Sequence, residues 1–339
     1  MIGYYVHHHG RGHLHRALSV AAATDTVVVG MSSLPRPREW SGPWLELPRD
    51  DEGATPVDVT ARGRLHWVPE LDRGLTARMA EISSWIAAVE PSLMVVDVSA
   101  EVSLLARLHG TPVVTMVLPG DRRDAAHDLV HSVARRIVGA WPADVTGMVT
   151  GLDAHRDRLT CVGGLSRFDG RPAPAPPAPD GRTVVVLTGL GDETSWDVDA
   201  ARQQTPSWTW HVLGAGDAWV DDPWDVLCAA DVVVTHGGQN AIAEVAAARR
   251  PAVVVPRPRP FREQDAMAAV LATDGRFPVT VCPELPQTGW DELLTRTAAL
   301  DGSGWSAWND GGGAGRLAAV ICEELERVPA PARSSGTWS

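Results

Sequence analysis

Residues 232–255, VVVTHGGQNAIAEVAAARRPAVVV, constrain the fold of this chain more than any other segment. A run of valines at 232–234 predicts a buried β-strand. The His-Gly-Gly turn at 236–238 then leads into a helix and a second apolar strand. Glycines allow backbone N–H groups to approach a ligand, and the helix dipole favours negative charge at the helix start. The segment therefore predicts a parallel βαβ unit with an anion-binding site.

Glu244 lies further along the predicted helix, too far from its start to contact the same anion. A carboxylate there can accept hydrogen bonds from hydroxyl groups elsewhere on the ligand, as an acidic residue does for a ribose. An anion site followed by such a carboxylate indicates a nucleotide. The alternative interpretation is an ordinary buried βαβ unit with a tight Gly-Gly turn.

The residue types in and after this segment follow the spacing His-x-Gly-x-Asn, then Glu eight residues after the His, then Glu-Gln beyond the next strand. This pattern resembles the donor-binding signature of inverting glycosyltransferases with the GT-B fold. That group includes secondary-metabolite enzymes and the peptidoglycan lipid-II N-acetylglucosaminyltransferase. The donor-binding residues that the resemblance implies are His236, Gly237, Gly238, Asn240, Glu244, Glu263 and Gln264.

Each of these positions has an expected role by resemblance. His236, Gly238 and Asn240 are expected at the diphosphate, Glu244 at the ribose, and one residue of the 263–264 pair at the sugar hydroxyls. A further glycine turn at 188–191 is expected to lie against the diphosphate.

The donor signature departs from the family pattern in two places. Ala241 replaces a phosphate-contacting Ser, and extra residues (RPRP, 257–260) precede Gln264. The strength of donor binding therefore stays open. In the additional glycine turn, Thr188 and Gly189 are the residues predicted to contact the donor.

Length, composition and charge exclude several classes of protein. A chain of 339 residues suits two domains, and it shows neither a long apolar run nor a signal sequence, so a cytoplasmic protein is expected. The four cysteines are widely separated, which argues against zinc and disulfides.

A net charge of −12 disfavours nucleic acid as a partner. Residues 1–162 hold 16 Arg against 19 acidic residues, so this less acidic half is expected to meet the acceptor or, peripherally, a membrane surface.

Short apolar strands alternate with helix-like stretches along the chain, as in parallel α/β sheets. The expected strands are 2–6, 27–29, 93–96, 113–117, 146–149, 160–162, 183–188, 208–213 and 279–281. The expected helices are 76–89, 100–108, 121–139 and 314–327, and the segment 35–70 is expected to be irregular.

Five prolines between residues 163 and 181 predict an extended linker between two domains. We therefore predict an α/β protein of the GT-B class, with two Rossmann-like domains whose parallel sheets face an interdomain cleft. The expected parts are an acceptor-binding domain (1–163), a linker (164–181), a donor-binding domain (182–310) and a C-terminal helix (311–328). The resemblance implies that this helix packs back on the N-terminal domain.

The first expected strand runs into the sequence HHHGRGH. A dinucleotide fingerprint is incomplete here, because its third glycine is missing near Arg16 and no acidic residue ends the second strand. The segment instead resembles the Gly-His loop of the same glycosyltransferases. That resemblance implies that His13 faces the acceptor hydroxyl as general base, with Arg11 and Gly12 on the acceptor side. Imidazole suits this role, since its unperturbed pKa is about 6.5.

A neighbouring carboxylate usually orients a histidine that acts as a general base. The resemblance assigns this role to an Asp that ends a strand before a helix, the setting of Asp97. Glu101, further along the helix, is the fallback. The alternative interpretation of Asp97 is the N-cap of the helix that starts near Ser99.

Several histidines raise the question of a metal site. His9 and His13 are four residues apart, but the bend at 10–12 separates them and no carboxylate or cysteine is close in sequence. His127 and His131 are interpreted as a solvated or cleft-facing pair. We therefore expect no metal and no cofactor.

These features predict an inverting, metal-independent glycosyltransferase that uses a nucleoside diphosphate sugar, with UDP favoured and dTDP left open. Retaining GT-B enzymes place a second Glu eight residues after the first, and Ala252 stands there. A nucleotide-sugar 2-epimerase and a non-catalytic nucleotide-sugar-binding protein are the alternatives, ahead of an NAD-dependent enzyme. The acceptor stays open among a small metabolite, a lipid-linked saccharide and a polymer.

Overall fold

The computed structural model describes residues 1–52, 56–172, 182–188, 196, 198–214 and 220–328. The strands of the N-terminal domain are β1 (Ile2–Val6), β2 (Val28–Ser32), β3 (Trp44–Glu46), β4 (Leu93–Asp97), β5 (Val113–Val117), β6 (Gly120–Asp121), β7 (Arg136–Gly139), β8 (Val149–Thr150) and β9 (Leu159–Cys161). Seven of them form a parallel sheet in the order β3-β2-β1-β4-β5-β7-β9, and β6 pairs with β8. Its helices are α1 (Arg11–Ala22), α2 (Arg73–Val89), α3 (Ala100–Leu108) and α4 (Ala125–Val133).

The C-terminal domain contains a second parallel sheet, in the order β11-β10-β12-β13-β14. These strands are β10 (Thr183–Leu187), β11 (Thr209–Leu213), β12 (Val232–Thr235), β13 (Ala252–Val254) and β14 (Val279–Val281). The helices are α5 (Asp199–Gln204), α6 (Trp224–Cys228), α7 (Gln239–Ala247), α8 (Glu263–Thr273), α9 (Trp290–Ala298) and α10 (Gly313–Glu326). The prediction of an α/β fold with two parallel sheets is confirmed.

The central strands are apolar along their whole length because helices cover both faces of each sheet. In the first sheet, Tyr4 belongs to a core shared with α1 and α10, whereas Tyr5 belongs to a core shared with α2 and α3. Neighbouring residues of a strand point to opposite faces, so both must be buried. The carboxyl ends of the strands are therefore the part of the sheet where the candidate site can lie.

The C-terminal helix α10 packs on the N-terminal domain. It lies against α1, and its Leu317 and Ile321 join the buried cluster of β1. Glu324 is fully buried and accepts a hydrogen bond from Arg136 Nε at 2.7 Å. The end of the described chain therefore completes the core in which the chain begins.

Several local predictions were wrong. The expected helix 121–139 ends as α4 at Val133, and residues 136–139 form β7, because this short apolar run pairs with β5. The expected strand 146–149 is reduced to β8, and β3 lies inside the segment expected to be irregular. The sequence patterns do not predict helices α5, α6, α8 and α9. Tertiary pairing overrides local preference for such short segments.

The two domains meet at charged contacts as well. Arg122 Nη2 donates to Glu263 Oε1 at 2.8 Å, and Arg276 pairs with Asp144 at 2.5 Å. The predicted donor residue Gly189 and the linker residues 173–181 lie outside the described residues.

Candidate active site

The loop after β1 brings a histidine to the carboxyl edge of the first sheet. Gly10 precedes α1 with a φ of 81°, a conformation that glycine adopts readily, so the chain turns sharply from the strand into the helix. His13 lies on the first turn of α1, and 16% of its side chain is exposed. Arg16 follows three residues later, on the same face of the helix. An imidazole and a guanidinium therefore lie side by side.

Asp97 ends β4 next to the end of β1, because Val6 and Asp97 are partners in the parallel register. Its carboxylate is fully buried, and His13 Nδ1 lies 3.1 Å from its Oδ1 atom. Arg16 Nη1 donates to the same oxygen at 2.8 Å. The structure thus brings the predicted base and the predicted carboxylate together, and it adds an arginine to the pair.

Asp97 does not cap the helix that follows it. Ser99 is the N-cap of α3, and its hydroxyl accepts a backbone N–H of the first turn. Glu101, the fallback carboxylate, accepts the backbone N–H groups of His66 and Trp67 at 2.7 and 3.1 Å. The carboxylate of Asp97 faces α1 instead.

The charge states around His13 follow from burial and neighbouring charge. Burial raises the pKa of Asp97, but the charge of Arg16 and the neighbouring His13 outweigh burial and hold that pKa below its usual range. Burial and the nearby His13 lower the pKa of His7 to about 3, so this ring is neutral at neutral pH. An ionised Asp97 favours the proton on Nδ1 of His13, which leaves the lone pair of Nε2 to accept a proton.

The start of α7 lies against the start of α1. A Cβ atom on Gly12 would collide with the side-chain amide of Asn240, so the two helices approach each other more closely than a larger residue allows. Arg16 Nη2 donates to Gln239 Oε1, at the first position of α7, at 2.9 Å. The predicted base and the predicted diphosphate site therefore meet at the boundary between the domains.

Gly12→Ala tests this close approach. The added methyl group displaces Asn240, and the loss of one hydrogen bond to the donor should weaken nucleotide affinity about threefold to tenfold. Calorimetric titration with UDP measures the effect. Gly315→Ala in α10 is the matched control, because a Cβ there meets no atom within 4 Å. An unchanged dissociation constant in Gly12→Ala would remove Asn240 from the donor contacts.

His236 is 7% exposed and is held in one orientation by its neighbours. Its Nδ1 atom accepts the backbone N–H of Gly238 at 3.1 Å, and Gln264 Nε2 lies at the same distance. The neutral ring therefore carries its proton on Nε2. Gln264 Oε1 accepts the backbone N–H of Arg257 at 2.9 Å, so both ends of this predicted sugar-binding side chain contact protein.

Glu244 is buried in a small pocket between the domains. Arg167 Nε, from the segment after β9, donates to Glu244 Oε1 at 2.9 Å. Burial raises the pKa of Glu244, and the charge of Arg167 opposes that shift. The residues that line the pocket are His15, Arg16, Leu165, Ser166, Arg167, Asn240 and Glu244. The predicted ribose carboxylate thus shares a pocket with a predicted diphosphate residue, and its charge already has a partner.

The remaining predicted residues have other partners in the protein. Glu263 forms its ion pair with Arg122, and the hydroxyl of Thr188 donates to the Leu213 carbonyl at 3.2 Å. Arg11 is exposed and lies 3.5 Å from Asp221 across the domain boundary. None of these contacts tests a role in substrate binding, so those roles stay predictions.

Two clusters in the described residues combine two histidines with a carboxylate: His8, His9 and Asp51, and His66, Asp124 and His127. A carboxylate does lie beside the first histidine run, contrary to the prediction, because Asp51 Oδ2 is 3.3 Å from His8 Nε2 and 3.0 Å from His9 Nε2. In the second cluster Arg122 Nη1 lies 3.2 Å from Nε2 of His127. A guanidinium can only donate, so the His127 proton sits on Nδ1 and points to Asp124. This pattern suits a hydrogen bond rather than a metal ion.

Sequence reasoning missed two residues of the site, Arg16 and Arg167. Arg16 was noted only because a glycine was absent near it, although its spacing from His13 places both on one helix face. Arg167 lies inside the predicted linker, after a glycine pair and before the first of its prolines, and no local pattern marks it. Only the packing of the two domains brings it to Glu244.

Comparisons with known proteins agree with the two-sheet α/β fold. The model of the glycosyltransferase family 28 C-terminal domain matches residues 219–281, which include β12, α7, β13 and α8. The solved glycosyltransferase of kitacinnamycin has a TM-score of 0.69 and 19% identity over 96% of this chain and 98% of its own. Acinetobacter baumannii MurG has a TM-score of 0.59 and 16% identity over 95% and 99%. A protein named as a UDP-N-acetylglucosamine 2-epimerase of Listeria monocytogenes has a TM-score of 0.61 and 13% identity over 97% and 98%.

No curated protein matches the chain in sequence. In the part of the chain that the structure describes, no helix is long and apolar enough to cross a membrane. By its family 28 C-terminal domain and its two-domain fold, the chain is a glycosyltransferase of the GT-B type.

Proposed function

We propose that the protein is an inverting glycosyltransferase that transfers a sugar from a uridine diphosphate donor to an acceptor hydroxyl. The observation that best supports the proposal is the contact between the start of α1 and the start of α7. His13 and Asp97 lie on one side of it, and Asn240 and the N-terminus of α7 lie on the other. A base and an anion site on facing domains suit a reaction that joins two substrates in the cleft.

In this mechanism Nε2 of His13 accepts the proton of the acceptor hydroxyl. The acceptor oxygen attacks C1 of the sugar from the side opposite the diphosphate, so a new C–O bond forms as the bond to the leaving diphosphate breaks. Asp97, held near Nδ1, stabilises the imidazolium that results. Attack from the opposite side inverts the configuration at C1.

The diphosphate leaves with increased negative charge, which needs fixed donors. The backbone N–H groups at the start of α7, Asn240 and the Nε2 proton of His236 are the groups proposed to stabilise it. Because these donors are already oriented by the protein, the proposal requires no metal ion. Ala252 stands where a retaining enzyme would place a second glutamate, which also supports inversion.

A thermal-shift panel of nucleotides tests the donor class. A ligand that binds only the native state stabilises it by RT ln(1 + [L]/Kd), so the tightest nucleotide gives the largest rise in Tm. We expect stabilisation by UDP and one UDP-sugar, a smaller effect of dTDP and none by NAD. Stabilisation by NAD alone would overturn the proposal. The best sugar nucleotide then enters transfer assays against small metabolites, lipid-linked saccharides and polymers.

Glu244→Gln tests the ribose contact. The amide can still accept the hydrogen bond from Arg167, but it loses the charge-assisted hydrogen bonds to the ribose hydroxyls, so UDP affinity should fall about tenfold or more. Calorimetric titration measures the affinity, and Glu292→Gln on the exposed face of α9 is the control. Equal affinities in the two variants would place the ribose elsewhere.

Nucleotide-sugar 2-epimerisation is the second candidate, favoured by the structural similarity to the protein named as an epimerase. Such a reaction needs no acceptor. Incubation of the protein with UDP-N-acetylglucosamine alone, followed by separation of the 2-epimers, distinguishes the two. A new epimer without acceptor would replace the transferase proposal.

A further inference from the structure

Arg16 is buried in the candidate site, but the proposed mechanism assigns no role to it. Its side chain is 2% exposed. One terminal nitrogen of the guanidinium contacts the N-terminal domain, and the other contacts the C-terminal domain. Nη1 donates to Asp97 Oδ1 at 2.8 Å, and Nη2 donates to Gln239 Oε1 at 2.9 Å. Burying a guanidinium is costly unless it is paired and hydrogen-bonded, so these two contacts define its position.

The two partners of Arg16 belong to the two halves of the proposed reaction. Asp97 ends β4 and lies beside the proposed base His13. Gln239 is the first residue of α7, between Gly238 and Asn240 of the proposed diphosphate site, and its Nε2 donates to the Ala140 carbonyl at 3.2 Å. One planar guanidinium thus spans the boundary between the base and the donor helix.

Arg16 and His13 share a single carboxylate oxygen. His13 Nδ1 lies 3.1 Å from Asp97 Oδ1, the atom that also accepts from Arg16. A cation beside that carboxylate opposes a second positive charge in the same place. The other titratable groups facing this cluster are His7, after β1, and the buried Tyr4, within β1.

We infer that Arg16 is a positioning residue that couples the docking of the donor helix to the state of the base. While Gln239 holds Nη2, the guanidinium keeps Nη1 on Asp97, and the carboxylate stays aligned with His13. When the domains separate, Nη2 loses its acceptor and the alignment is lost. The inference rests on the proposed function, because it assigns His13 and the start of α7 to one reaction.

Three variants separate the charge of Arg16 from its bridge. Arg16→Met removes both. Arg16→Lys keeps a positive charge beside Asp97, but its single ammonium cannot donate to both partners in the same geometry. Gln239→Leu removes only the acceptor in α7. Arg107→Met, exposed on α3, is the control for a change in net charge.

The pH dependence of kcat/KM is the main readout. Removing a cation close to His13 favours its protonated form, so the acid limb of the profile should move up by about one pH unit in Arg16→Met. In Arg16→Lys and Gln239→Leu, the acid limb should lie at the same pH as in the parent protein. Both variants should lose about tenfold in kcat, and their UDP affinity should change less than threefold. A merely structural Arg16 would lower Tm without moving the acid limb.

Coupling is measured by the double variant Arg16→Met with Gln239→Leu. If the bridge acts as a unit, the double variant loses little more kcat than Arg16→Met alone. The coupling would be overturned if the loss of kcat in the double variant equalled the product of the losses in the two single variants. It would also be overturned if Gln239→Leu left kcat unchanged.

The titration of the His13 ring signals by NMR separates failure of this inference from failure of the proposed function. Its midpoint should rise in Arg16→Met even if no sugar is transferred. An unmoved midpoint would refute the effect of Arg16 on His13, whatever the reaction. A raised midpoint without transfer would instead refute the transferase proposal.

Discussion

Replacing His13 with alanine should lower the rate of sugar transfer about a hundred- to ten-thousandfold and leave UDP affinity nearly unchanged. The loss has this size because a positioned general base contributes about that factor, and a neutral hydroxyl is a poor nucleophile while it keeps its proton. The affinity should be preserved because the proposed donor contacts lie in the C-terminal domain and do not include His13.

Initial rates under saturating donor and a UDP titration measure the two effects. His109→Ala is the matched control: His109 is exposed, its backbone N–H caps the end of α3 before β5 begins, and its ring contacts the Ser83 hydroxyl at 2.7 Å. It therefore lies at the opposite edge of the sheet from the site. Transfer that survives in His13→Ala would show that another group takes the proton.

The second large effect is expected for Asp97→Asn, in stability as well as in transfer. The substitution leaves the buried guanidinium of Arg16 facing a neutral amide, and breaking a buried pair in this way costs about 3–5 kcal/mol. Transfer should also fall strongly, because an amide can donate to Nδ1 and thereby stabilise the wrong tautomer of His13.

The pH dependence of this stability difference has a definite sign. The pKa of Asp97 is depressed in the folded state, with Arg16 as the main stabilising cause against burial. Its contribution is therefore fully present above the unfolded pKa of about 3.9, and it is lost as the pH falls through the folded pKa. The difference in free energy of unfolding between the two proteins should shrink as the pH falls below about 4, where the carboxyl group of Asp97 begins to be protonated. A difference that grows as the pH falls below about 4 would contradict the ion pair.

Much of the fold follows from local patterns in the sequence. The runs of apolar residues at β1, β4, β5 and β12 are strong enough to specify buried parallel strands, because both sheet faces are covered. The short elements β3 and β7 could not be predicted, since their pairing with distant strands outweighs the weak preferences of three or four residues.

The candidate site divides in the same way. His13, Asp97 and Asn240 could be proposed because the motifs around them resemble those of a known family, and each lies close to a junction between a strand and a helix. Arg16 and Arg167 could not, because a buried arginine and an exposed one look alike in sequence. Charged partners were the least predictable feature of the site.

By itself, the sequence determined the α/β class, the glycine turn at 236–238 and the histidine after the first strand, because these depend on neighbours within a few residues. Only the tertiary structure decided which charges pair in the cleft. Arg16 reaches Gln239 across 223 residues, Arg122 reaches Glu263 across 141, and Arg167 reaches Glu244 across 77. Such contacts depend on how two separately formed sheets dock, and the burial that makes them strong exists only after docking.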